Sequence, residues 1–566
     1  MPAETLERLL NQLDELKRRF GAQERARAAK ILALLAGRRF RDADSLIRFH
    51  EILLFMRAYP QSPRILRQVE GILASFPQRV EMLREAGLDL APFEEGEVSG
   101  IAGTQLIANF SYNVARWLVR RHGAEVSIDW EGYEDEARLG ETLPRFVPLL
   151  EDDALVEANV PFREWLRVAC GGRGCELTWL MRCFEQLAVS NRERAELYDS
   201  LRLYLRWEPR RFRVTRTGMR RAVRKLFYHD RPLLRRSDIS LVEELDAPPL
   251  PLKRISRRRG EAILEMIRDT SAIRYRELHG FTYGDPGSVL HASAGRGVEF
   301  FFNGVTPAHR LPLRAYHSAF IFKNGIPVGY AEGLSLFERM EFGFNLYYTF
   351  RDGESAWLYA RMLRLFRQVL GVTAFSVDPY QIGFENEEGI ASGAFWFYRK
   401  LGFRPTLEAI KGVVLDEERK LAAHPEYRTP PRILRQISTS HLLFEIPPSP
   451  RSRWDRFQVR NLGLAVNRLM AERFEGDAAK IRDSSKARIA RLLGVDTAGW
   501  KESEQSAFEN LALVLALIPG LAHWTDDEKR ALARLARAKG GANESQYVRL
   551  LQKHRKLRDA LIEIGS

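Results

Sequence analysis

FGFNLYYTFRDGESAWLYARMLRLFRQVLGVTAFSVDPYQIGFENEEGIASGAFWFYRKLGFRP, residues Phe342 to Pro405, is the stretch from which the rest of the chain is read. The pieces follow one another as strand (FGFNL), tight polar turn (RDGES), amphipathic helix, strand (TAFSV), long loop, aromatic-rich helix and a closing Gly402-Phe403. A strand that ends in a small polar turn and opens a helix suits a phosphate. The first helical turn has free backbone N–H groups and the positive end of the helix dipole. Gly353, Ser355 and Ala356 leave room for close backbone approach, and Arg351 adds a charge-assisted contact.

Working upstream, Val298–Gly304 (VEFFFNG) reads as a strand. Ala315–Ser335 holds Asn324-Gly325 between two apolar runs, the strongest short hairpin signal. Downstream, LEAIKGVVLD (Leu407–Asp416) reads as a further strand, Pro430-Pro431 opens a helical insertion, and HLLFEIP (His441–Pro447) is a last strand. Two stiff seams, Pro248-Pro249-Leu250-Pro251 and Pro447-Pro448-Ser449-Pro450, frame this unit. The predicted organisation has three parts: a helical region over 1–247, a mixed α/β domain over 248–450 and a helical region over 451–566. In the first part MPAETLERLLNQLDELKRRF, ARAAKILALLAG, ADSLIRFHEILLFMRAYP and PRILRQVEGILASFPQRVEMLREAG carry apolar residues at three- and four-residue spacing. AEVSIDW (Ala124–Trp130) is a single short strand candidate, and no fixed repeat period is present. In the last part Thr525 and Glu528 have capping-box spacing.

At 566 residues the chain is too long for one hydrophobic core. Its 45% hydrophobic and 29% charged residues are those of a globular protein. The N-terminus is an amphipathic helix and not a signal peptide, and the most apolar run, Leu511–Ile518, is too short to span a bilayer. Together with only three cysteines, these features predict a cytoplasmic protein of bacterial type with no membrane span. Cys170, Cys175 and Cys183 are close in sequence, but CGGRGC lacks zinc-knuckle spacing and no paired histidines follow. Buried, inert thiols are expected. The acidic group Asp129, Glu131, Glu134, Asp135 and Glu136 reads as a solvated loop. The net charge of +14 invites an anionic partner. Arg206–Arg236 is dense in arginine with Trp207, Phe212, Phe227 and Tyr228 interleaved, and it has two readings. It docks nucleic acid or another acidic partner, or its arginines pair with acidic residues elsewhere in the chain.

Two motifs in the middle unit carry a family resemblance. One is the turn Arg351-Asp352-Gly353-Glu354-Ser355-Ala356 after a strand; the other is Phe397-Tyr398-Arg399-Lys400-Leu401-Gly402-Phe403. With the order of elements around them, they resemble the GNAT superfamily of acetyl-CoA-dependent N-acetyltransferases, over about 200 residues between the proline seams. The resemblance implies that the turn binds the pyrophosphate of coenzyme A, that Tyr398 protonates the departing thiolate, and that the splayed strand edge Leu346–Phe350 supplies a backbone donor to the acyl carbonyl. It thus implies a cofactor site made of Leu346, Tyr348, Phe350, Arg351, Asp352, Gly353, Glu354, Ser355, Ala356 and Asn386, with acetyl-CoA as co-substrate and no metal. The chain departs from the family pattern at Glu354, where glycine is usual, and at Ala391, where the family's asparagine stands; Asn386 lies upstream.

Candidates for a general base are Glu332 and Glu385 first, then His317, Glu341 and Asp378, all at strands or their ends. The function these readings predict is acyl transfer, acetyl foremost, from coenzyme A to an amine not identified by the sequence. The alternative is a binding protein that keeps the fold, has lost catalysis and uses Arg206–Arg236 to dock an acidic partner.

Overall fold

The computed structural model describes residues 5–150, 160–172, 174–446 and 454–566. The second proline seam lies outside the described residues. A small antiparallel sheet in the N-terminal part joins β1 (Leu106–Asn109), β2 (Val126–Ile128) and β3 (Tyr204–Trp207) in the order β1-β3-β2. β2 falls within the strand candidate Ala124–Trp130, and β1 and β3 correct the helical expectation for the rest of 1–247: the outer strands flank a third that is more than 70 residues further along the chain from either.

The large sheet has nine strands. They are β4 (Leu252–Arg254), β5 (Leu290–Gly295), β6 (Val298–Gly304), β7 (Ala315–Lys323), β8 (Ile326–Leu336), β9 (Arg339–Leu346), β10 (Ala374–Val377), β11 (Arg404–Pro405) and β12 (Leu442–Glu445). Their order is β11-β12-β10-β9-β8-β7-β6-β5-β4. All neighbours are antiparallel except β9 and β10, which run parallel from Ala374↔Arg339 to Ser376↔Glu341. The β7–β8 hairpin turns at Asn324 (φ 52°) and Gly325 (φ 81°), and two consecutive positive φ values are what an Asn-Gly turn provides.

The helix Ser355–Leu370 covers one face of this sheet. Its Tyr359 and Phe366 rings meet Phe342, and Tyr359 also meets Phe344. The helix Glu544–Lys553 packs on the same face, where Ser545 reaches His317 at 3.3 Å. On the opposite face lies the short helix His279–Thr282. A Cβ at Gly280 would come within 2.4 Å of the Ser318 hydroxyl, so only glycine permits this approach.

One continuous apolar core runs from Leu9 to Ile562 through the N-terminal helices, the sheet and the C-terminal helices; a second gathers residues 106–219 with Ala272 and Ile273. Neither core divides at the first proline seam. The Leu250 backbone within it exchanges two hydrogen bonds with the Gln368 side-chain amide and is anchored to the long helix.

LEAIKGVVLD is not a strand. Ile410, Val414 and Glu417 are buried along one face of the helix Glu408–Ala423, so the apolar residues follow a helical period. The cysteine reading is also corrected: Cys170 and Cys175 form a disulfide, and none of the three cysteines is fully buried. Positive φ at Gly171, Gly172 and Gly174 lets CGGRGC fold back on itself. Within the acidic loop, Asp129 is buried against Arg206, and Glu131 is exposed.

Candidate active site

β9 and β10 part company after Glu341. β10 ends at Val377 while β9 runs on to Leu346, so the two parallel strands open a wedge. A cleft of about 410 Å³ occupies it, lined by Phe344, Asn345 and Leu346 on β9, Arg351 and Ser355 at the turn, and Asn386, Phe397 and Tyr398 on the far wall. At one end stands the start of the helix Ser355–Leu370, whose first N–H groups have no intrahelical partner. Arg351 donates through Nε to the Leu346 carbonyl (3.2 Å) and through Nη2 to Glu388 (2.5 Å), which fixes it at the cleft mouth. Asn386 is fixed too: it caps the helix Glu387–Ala391 and donates to the Tyr380 carbonyl.

At the other end, the Tyr398 hydroxyl is 3.5 Å from Gln381 Oε1, which also faces the Phe344 N–H at 3.4 Å. Gln381 thus bridges the wedge by hydrogen bonds and fills the space left by Gly343, where a Cβ would lie 2.7 Å from its amide nitrogen. Burial among Tyr359, Phe397 and Phe403 raises the Tyr398 pKa, so the phenol holds its proton at neutral pH.

The turn Arg351–Ala356 has two faces. Arg351 and Ser355 line the cleft. The other residues turn away from it. Asp352 pairs with Lys17 (3.3 Å), Gly353 backs onto the Tyr59 hydroxyl, which a Cβ would meet at 2.4 Å, and Ala356 is buried. Glu354, at the position where the resemblance has glycine, is 1% exposed and held by Arg296 (2.5 Å) and Lys323 (3.5 Å). Burial lowers the Lys323 pKa to about 7, with Glu354 opposing the shift. The carboxylate that would repel a phosphate is therefore neutralised behind the turn. The expected strand edge Leu346–Phe350 stops at Leu346: Tyr348–Phe350 form a 3-10 turn, with Tyr348 exposed and Phe350 buried, and neither lines the cleft.

Glu332 sits on β8 directly opposite Gly343 of β9, one strand in from the wedge. It is half-buried under the helix His279–Thr282, and its carboxylate accepts the Tyr316 hydroxyl. Burial raises its pKa, which the Tyr316 and Gly280 hydrogen bonds partly offset. Glu385 is exposed at φ 52° on the loop before Asn386 and does not line the cleft. His317 lies on the opposite face from Glu332, buried beneath the C-terminal helix, and its pKa is pushed down to about 3 by burial and by Lys539 and Arg310. Glu341, Asp378 and His441 bring one ligand atom each within 4.8 Å of one another beside the wedge. Arg314, 3.6 Å from Glu341, and Arg339 already supply positive charge there, so this cluster is an ion-pair network as it stands.

The arginine-rich segment is a strap that is buried over residues 214–219 and exposed at several arginines on either side. Arg206 pairs with Asp129, Arg216 with Glu51, Arg220 with Glu70 and Arg221 with Glu299. Arg216 is buried, and Glu51 also accepts from His50 and Thr349. Burial pushes the Glu51 carboxyl up, but Arg216 and these hydrogen bonds outweigh it and hold the pKa at about 2. Gln381, Glu388 and Arg276, all in the cleft, were not singled out by the sequence; polar residues on a loop or a helix end carry no periodic signal. No helix of the described residues is long and apolar enough to cross a membrane. Comparison with family models, with curated proteins and with solved structures finds no match for this chain.

Proposed function

We propose that the wedge between β9 and β10 binds an acyl-coenzyme A thioester, acetyl-CoA foremost, and that the protein transfers the acyl group to an amine. One observation supports the reading: Arg351 and Ser355 of the first motif and Tyr398 of the second line one cleft, together with the candidates Leu346 and Asn386. The strand β9, the helix Ser355–Leu370 and the parallel strand β10 follow one another in the order on which the resemblance was read.

Bound in the wedge, the thioester would supply the activated acyl carbonyl. Arg351 and the first N–H groups of the helix hold its phosphates, and the Arg351–Glu388 pair opens to admit them. The exposed edge of β9 offers backbone N–H groups to the acyl oxygen once Gln381 yields its place at Phe344. Glu332, ionised, accepts a proton from the attacking amine through Tyr316 or water, which keeps the nucleophile neutral. As the carbon–sulfur bond breaks, the Tyr398 hydroxyl passes its proton to the sulfur, so the products are an amide and a neutral thiol.

The test has two arms. Acetyl-CoA should raise the melting temperature, and free thiol should appear when a panel of amines is added. A shift without thiol release from any amine would leave a binding protein, and no shift at saturating acetyl-CoA would end the proposal.

A further inference from the structure

A second cleft, of about 370 Å³, adjoins the first. It lies between the helix Tyr112–His122 and the helices Arg257–Ala272 and His279–Thr282, and Arg276 lines both clefts. Its size is that of a small-molecule site.

Four arginines border it, Arg116, Arg120, Arg268 and Arg276, and no carboxylate of the described residues does. Three carboxylates outside the lining pair with these four arginines. Glu185 is shared by Arg116 (3.0 Å) and Arg120 (2.6 Å), Glu261 holds Arg268 (3.0 Å), and Glu97 holds Arg276 (3.0 Å). Two further carboxyls outside the lining, Asp199 and Glu277, both exposed, act on Tyr283. The Tyr283 hydroxyl accepts from Asn113 Nδ2 at 2.8 Å, which leaves its own proton free to donate into the cleft. The lining is therefore rich in donors, the setting that selects an oxyanion. Flat walls come from the Trp117 indole and from Tyr283 stacked on His309, with ring centroids 4.0 Å apart.

The cleft also leads toward the candidate base. Tyr283 meets His279 (4.9 Å), His279 meets Tyr316 (4.9 Å), and Tyr316 is bonded to Glu332. Arg276 contacts Tyr330, which faces Asn345 across the β8–β9 pair.

We propose that this cleft holds the acceptor, an amine on a ring-bearing molecule that also carries a phosphate or carboxylate, with the anion on the arginines and the amine directed toward Glu332. The assignment of the bound molecule as acceptor rests on the acyltransferase reading; its anionic, ring-bearing character does not.

The experiment uses the full chain and three probes followed by ligand-observed NMR: phenyl phosphate, benzoate and neutral benzamide. At least one anionic probe should bind tenfold or more tightly than benzamide, and which one does so separates phosphate from carboxylate. Its affinity should fall as salt is raised from about 50 to about 500 mM. It should also fall tenfold or more in the double variant Arg116→Gln/Arg120→Gln, with the melting shift caused by acetyl-CoA unchanged. Equal binding of benzamide, no binding of either anion at millimolar concentration, or wild-type affinity in the double variant would overturn the proposal. The salt and benzamide comparisons need no variant. Anion binding without any response to acetyl-CoA would uphold the anion cleft and remove its assignment as an acceptor site.

Discussion

The strap Arg206–Arg236 and the paired clefts that meet at Arg276 use arginine in opposite settings. Along the strap each of Arg206, Arg216, Arg220 and Arg221 ends on a carboxylate from a distant element, and Arg216 is buried doing so. In the clefts the guanidiniums come from the helix Tyr112–His122, the helix Arg257–Ala272 and two loops, Arg116 and Arg120 share one carboxylate, and all border open volume. A run of arginine in the sequence here joins the N-terminal helices to the sheet. Under the functions proposed, recognition would fall instead to arginines at 116, 120, 268, 276 and 351, which only their convergence in space brings together. Convergence in space, and not density along the chain, separates a binding surface from a fastening.

The sharpest break between the two settings is energetic. Replacing Arg216 by Ala leaves Glu51 buried without its guanidinium, and urea denaturation should show a loss of about 3–5 kcal/mol. The loss should depend on pH. Because the Glu51 pKa is depressed in the folded chain to about 2, its contribution is complete above the unfolded value and fades as pH falls from about 4.3 toward 2. A difference between wild type and variant that persists unchanged at pH 2.5 would contradict this account of the strap.

Effects in the wedge should fall on rate and leave stability nearly intact. Tyr398→Phe should lower kcat about 10³-fold with little change in the affinity for acetyl-CoA, since only the proton donor is lost. Glu332→Gln should lower kcat/KM about 10²-fold and abolish its rise with pH. In the wild type that rise has its midpoint above the ordinary carboxylate range, because burial raises the Glu332 pKa. A variant that keeps the same pH profile would move the base elsewhere. The smallest effects belong to the exposed arginines of the strap. Arg213→Ala, Arg224→Ala and Arg231→Ala should each shift stability by less than about 0.5 kcal/mol. Salt-sensitive binding of RNA or DNA by wild type, lost in these three, would give the strap a recognition role after all.

Local signals were legible and long-range ones were not. Asn324-Gly325 announces its hairpin because its turn needs positive φ at both residues. The strand, turn and helix from Phe342 to Leu370 were visible because periodicity changes from two to about 3.6 at a polar turn. LEAIKGVVLD misled because a short run of β-branched residues within a helix looks like a strand until the flanking turns are counted. Of the small N-terminal sheet only the strand within Ala124–Trp130 was visible; the other two escaped because strands of four residues barely show alternation and find partners far along the chain. In the turn itself, sequence could nominate all six residues from Arg351 to Ala356 but could not divide them. That only Arg351 and Ser355 face the cleft depends on Tyr59, Lys17, Arg296 and Lys323, which approach from four separate elements of the chain.

Calorimetric titration of coenzyme A and acetyl-CoA into wild type and Arg351→Glu tests the central claim most directly. The account predicts saturable binding of both ligands to the wild type and a loss of at least tenfold in affinity in the variant, where a second carboxylate would stand beside Glu388. Absence of binding to the wild type, or equal binding by the variant, would contradict it.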